Sequence, residues 1–82
     1  MLSLKVTLCY IVFMNSNEAQ KLGNNIKRIR TEKGLSQVDI ARDLNVNRGF
    51  VSDIENGKRN PTLSTLTRLA NALGVSTNEL LK

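Results

Sequence analysis

Residues 36–61, SQVDIARDLNVNRGFVSDIENGKRNP, decide how this chain folds. They hold two short apolar ladders, Ile40, Ala41 and Leu44, then Val51 and Ile54, separated by a break too short to be a loop. Spacings of three and four mark each ladder as the buried stripe of a helix. Ser36 with Asp39 three residues on reads as the cap of the first of these helices. Asn45 can take the left-handed position otherwise given to glycine. Asn47 caps the next helix, and Asn56 and Gly57 close it. Val46 would then close the inside of the turn, while Ala41, with only a methyl group, lets the two axes approach. An ordinary helical hairpin and a steep crossing in which the second helix projects outward both fit the spacing.

The same punctuation continues on both sides. Upstream, Asn17 with Gln20 reads as a cap, Ala19, Leu22, Ile26 and Ile29 form a stripe, and Gly34 ends the helix. Downstream, Thr62 caps a helix carrying Leu63, Leu66, Leu69, Ala70 and Leu73, with Gly74 after it. Ser76 and Glu79 read as a capping box for a short fifth helix with Leu80 and Leu81. Residues 15–82 are therefore expected to form one all-α domain of five helices.

Residues 1–14, MLSLKVTLCYIVFM, differ from everything that follows. A membrane span needs about 20 apolar residues, more than this run supplies. A secretory signal would need a basic start and a small-residue cleavage site. The β-branched and aromatic content favours a strand, which would pair most simply with its copy in a second subunit. A translation start at Met14 is the alternative, and the first thirteen residues would then be incidental.

The chain has 82 residues, twelve Lys and Arg, seven Asp and Glu, and no His, for a formal charge of +5. One small core fits in that length, with no room for a ligand or catalytic domain. The charge makes polyanions the first partners to consider. Cys9 is the single cysteine, so no internal disulfide forms and a reducing, cytoplasmic location is expected. Without His or a cysteine cluster the usual metal sites and nucleophile–base pairs are missing. No enzyme activity, cofactor, metal, small-molecule ligand or membrane association is expected.

LSQVDIA, VSDIENGKRNPTLSTLTRLANALGV and the trailing LL stand at the spacing of the phage Cro/repressor and Xre-like family. Over roughly Ile26 to Leu81 the chain resembles that family, which implies a lambda-repressor-like helix-turn-helix domain that binds DNA. Asn45, where the family usually has Gly, and Gly49 inside the second helix depart from the pattern; Gly49 either permits close approach to DNA or marks a base that is not read. NRGFVS, with Arg48, Gly49 and Phe50, is most similar to the controller proteins of restriction-modification systems. That resemblance implies a homodimeric transcription regulator on an inverted-repeat operator. The alternative is an antitoxin-type module that neutralises a toxin and autoregulates its operon.

Candidate site residues follow. Arg48 and Ser52, four apart with Gly49 and Asp53 beside them, form the outward face that would meet the bases. Arg48 can make two parallel bonds to guanine, Ser52 can bond a base or a phosphate, and Asp53 could accept from cytosine or steer Arg48. Phe50 faces either a thymine methyl or the rim of the core. The resemblance implies that Gln37 bonds a phosphate. Asn47, Asn56, Lys58, Arg59 and Asn60 are expected on the flanking backbone. It also implies a structural ion pair between Arg30 and Glu55. Leu80 and Leu81 are expected at the dimer interface.

Overall fold

The structure, a computed structural model, describes residues 16–82. The apolar extension over 1–14, with its strand and upstream-start readings, lies outside the described residues. Five helices follow in order: α1 Ser16–Glu32, α2 Gln37–Leu44, α3 Arg48–Glu55, α4 Leu63–Leu73 and α5 Thr77–Leu81. No helix among the described residues is long and apolar enough to cross a membrane.

The expected stripes are the core. Ala19, Leu22, Ile26 and Ile29 of α1 meet Ile40, Ala41 and Leu44 of α2, Val51 and Ile54 of α3, and Leu66, Leu69, Ala70 and Leu73 of α4. α1 packs on α3 and α5, α2 on α3 and α4, and α4 on α5. This arrangement leaves the outer side of α3 uncovered by any other described helix.

The joint between α2 and α3 works through Asn45. Its φ of 59° and ψ of 45° are left-handed, a conformation that Asn visits more readily than other non-glycine residues. The Val46 N–H can then reach back to the Ala41 carbonyl at 3.0 Å, closing the helix end in the Schellman manner. At the start of α2, Ser36 accepts from the Asp39 N–H while Asp39 accepts from the Ser36 N–H, the reciprocal capping box. Chiefly the Ser36 backbone N–H, and secondarily the Ser36 side chain, hold the Asp39 carboxyl below its ordinary value. This cap therefore contributes at neutral pH and is lost as pH falls through that lowered value. Asn47 caps α3 through Phe50 N–H at 2.8 Å, and Thr62 caps α4 through Thr65 N–H at 3.2 Å.

Three expectations at the ends of the chain are corrected. α1 is already formed at Ser16, so Asn17 lies inside the helix rather than capping it. Ser76 makes no side-chain cap bond; the Glu79 carboxylate instead takes the Lys82 ammonium at 3.0 Å. Leu80 is fully buried in the single chain, where its side chain joins the core and has no surface to offer a second subunit. Leu81 is half-buried at the edge of that core. The Asn25 side-chain amide reinforces the docking of α5 by donating to the Leu80 carbonyl at 2.8 Å.

Gly23 sets the distance between α1 and α3. A Cβ there would lie 2.4 Å from the Glu55 carbonyl oxygen and 2.5 Å from that of Ile54, so the two backbones touch only because the side chain is absent. Gly23→Ala should therefore destabilise the fold by about 1–3 kcal/mol, as overpacking does, despite the better helix propensity of alanine. Urea unfolding checks this; an unchanged or raised midpoint would mean that α1 and α3 separate at no cost.

Candidate nucleic-acid interface

Gln37 is the first residue of α2 and Arg48 the first of α3, so the tight turn sets their side chains side by side. Arg48 Nη1 donates to Gln37 Oε1 at 3.2 Å. On its other side, the Gln37 amide Nε2 donates to Glu55 Oε1 at 3.0 Å. Its polarity is dictated by its neighbours, since the NH₂ must face the carboxylate and the oxygen the guanidinium. Glu55 is only 4 % exposed. It is held in a two-pronged pair by Arg30, whose Nε lies 2.6 Å from Oε2 and whose Nη2 lies 3.0 Å from Oε1. The remaining Arg30 Nη1 donates to the Leu35 carbonyl at 3.0 Å. A continuous chain of polar contacts therefore runs from the end of α1, through the buried end of α3, to the exposed arginine at its start.

A second cluster lies at the other end of α3. The left-handed Gly57, φ 73°, turns the chain back so that the Lys58 N–H reaches the Asp53 carbonyl at 2.8 Å. Arg59 then comes beside α3, with its Nε 3.6 Å from Asp53 Oδ2. Its guanidinium carbon lies 4.8 Å from the Phe50 ring centroid, within cation–π range. Phe50 is half-buried and packed against the core, so it occupies the rim and carries Arg59 on its face.

The expected site residues separate accordingly. Arg48, Asn56, Lys58, Arg59 and Asn60 are exposed. Lys58 and Asn60 make no side-chain hydrogen bond or ion pair with the described residues, which leaves them open to an outside anion. Ser52 Oγ accepts from Asn56 Nδ2 at 3.4 Å. Asn47 directs its side-chain oxygen to the Phe50 N–H. Asp53 does not steer Arg48: the turn at Gly57 brings Arg59 to it first. Gln37 likewise has both ends of its amide engaged, one by the buried Glu55 and one by the exposed Arg48. Among the described residues no group of three or more Cys, Asp or Glu is placed to hold a metal ion.

This geometry matches a known pattern. A family model described as helix-turn-helix covers residues 26–80. The chain belongs to the Cro/C1-type helix-turn-helix family. Within that family, the HTH-type transcriptional regulator y4dJ of Sinorhizobium fredii is 46% identical over 59 residues, 72% of this chain and 77% of that protein. The crystal structure of the restriction-modification controller protein C.AhdI from Aeromonas hydrophila is similar at a TM-score of 0.75. It is 36% identical and covers 78% of this chain and 97% of its own. A controller of the same kind, C.Esp1396I, solved as a tetramer in complex with its natural 35 base-pair operator, is similar at a TM-score of 0.69. It has 36% identity over 83% of this chain and all of the other. In helix-turn-helix terms α2 is the first helix of the motif and α3 the second, the one that enters the major groove in family members.

Two features of this helix-turn-helix were not among the expectations from sequence. The stacking of Arg59 on Phe50 joins residues nine apart across a turn, a spacing with no periodic signature. The bridge from Gln37 joins three residues that each carry a separate expected role. A polar residue heading a helix of the motif, with a buried carboxylate and an exposed arginine both within reach, is the signal that would have found it.

Proposed function

We propose that the chain is a homodimeric transcription regulator that reads an inverted-repeat operator with α3, in the manner of a restriction-modification controller. One observation carries the reading: Arg48 stands exposed at the head of the outward-projecting helix, yet is aimed by a polar chain anchored in the core. A solvated surface arginine has no such support. In the proposal Arg48 reads guanine, Ser52 and Asp53 lie against neighbouring bases, and Gln37 both aims Arg48 and borders the phosphates. Lys58, Arg59, Asn60, Asn56 and the amide of Asn47 follow the backbone. Residues 15–82 would be the DNA-binding unit, acting in the cytoplasm without enzymatic activity. The formal charge of +5 and the operator-bound state of the similar controller support this assignment.

Dimers of this kind place their reading helices about 34 Å apart, one turn of DNA. Selection of duplexes from a random-sequence pool, followed by mobility shift on the winners, tests the proposal. The expected result is an enriched palindrome bound by two chains, with two half-sites separated by one helical turn. Enrichment of no sequence over random DNA would overturn it.

A further inference from the structure

Glycine inside a helix is destabilising relative to alanine, so a helical glycine normally has a local reason. Four of the five glycines in this chain have one. Gly34, Gly57 and Gly74 take left-handed φ angles at helix ends, and Gly23 lets the α1 and α3 backbones touch. Gly49 has neither. It lies in the first turn of α3 with no positive φ, and a Cβ there would meet only the Asn47 side-chain oxygen, at 3.4 Å. Nothing within the described chain requires glycine at this position.

Its direction is informative. Val51, Ile54 and Glu55 are the buried residues of α3. At about 100° per residue, Gly49 falls opposite the centre of that buried row, in the middle of the outward face between Arg48, Ser52 and Asp53. The side that would lie deepest in a groove is thus bare at its centre. The major groove is about 12 Å wide, and a helix with its side chains has a diameter of about 10–12 Å, so a single missing side chain changes how deeply α3 can sit. The bared backbone offers Cα hydrogens, an apolar surface. The apolar group that projects from base edges in the major groove is the thymine C5-methyl.

We infer that Gly49 is a specificity-determining residue, and that its missing side chain forms a gap which seats a thymine methyl in each half-site while Arg48 reads beside it. The inference rests on the proposed reading of DNA by α3. The mechanism is steric: alanine would put a methyl where the thymine methyl belongs and hold the helix off the groove floor.

The experiment uses the full chain, the duplex selected by the parent, and copies of that duplex in which each thymine in turn is replaced by deoxyuridine. Gly49→Ala should raise the melting temperature or leave it unchanged. It should weaken binding to the selected duplex by roughly tenfold, with random duplex bound as before. At one thymine per half-site, deoxyuridine should weaken the parent and recover affinity for Gly49→Ala. Equal affinity of variant and parent for the selected duplex would overturn the inference. So would an equal loss on random DNA, or a defect indifferent to deoxyuridine at every position. A less stable Gly49→Ala would also overturn it, because the glycine would then have an internal role. Failure of the parent to select any sequence would remove the DNA-reading proposal, and this inference with it.

Discussion

Glu55→Gln is expected to lower the stability of the domain by about 3–5 kcal/mol, the cost of leaving one member of a buried ion pair without its counter-charge. The exchange preserves size and keeps a hydrogen-bonding oxygen, so a loss of packing cannot account for the result. What remains is the Arg30 guanidinium, with its side chain only 14% exposed, facing a neutral amide whose NH₂ must turn toward one of the donors that the carboxylate accepted. For a domain whose whole stability is of the order of 5–15 kcal/mol this is a large fraction. The melting temperature should fall by more than about 10 °C. Denaturant unfolding with an unchanged slope and a lowered midpoint would confirm that the native contact is the cause. Equal melting of variant and parent would show that water reaches the pair freely enough to replace it.

Replacing both partners, as Arg30→Met with Glu55→Leu, separates stability from function. Removing a buried pair together is often neutral or stabilising, so the double variant should melt close to the parent. Gln37 would nevertheless lose the carboxylate that holds its amide, and Arg48 would lose its aimed acceptor. Thermal stability would return without discrimination between operator and random DNA. On the proposed reading of DNA by Arg48, the ion pair supports that side chain through Gln37 as well as fastening α1 to α3.

The degree to which this was legible in the sequence depended on the range of the interaction. The apolar stripes, the Ser36–Asp39 box, the Asn47 and Thr62 caps and the left-handed Asn45 involve residues within a turn or two of each other. Their spacing is itself the physical cause, so reading the spacing reads the structure. Leu80 departs from expectation because α5 has five residues, too few for a periodic pattern to show which of two adjacent leucines faces inward. Ser76 and Glu79 have the spacing of a capping box, but Lys82 lies equally near to Glu79 along the helix and takes its carboxylate. Asp53 pointed to bases or to Arg48 because both it and Arg48 lie on α3. Its partner, Arg59, arrives only after the chain reverses at Gly57, and no pattern of apolar residues records that reversal.

Arg48 and Lys58 are both exposed cations, and either should lower affinity when replaced, yet by different signatures. Arg48 is hydrogen-bonded to Gln37 at 3.2 Å, and under the proposal it makes two parallel bonds to guanine O6 and N7. Arg48→Ala should therefore cost about 1–3 kcal/mol in each half-site and relax the preference at one base pair, with a much smaller effect on random duplex. Lys58 has no partner among the described residues and acts as a point charge. Lys58→Ala should weaken selected and random duplexes alike. It should also make the plot of log affinity against log salt shallower by roughly one unit for each phosphate that the ammonium no longer neutralises. Titrations of both variants on both duplexes over a salt series distinguish the two. If Arg48→Ala ranks every single-base substitution of the duplex as the parent does, then the head of α3 is not the reader. In that case the polar chain from Arg30 to Arg48 serves the fold alone.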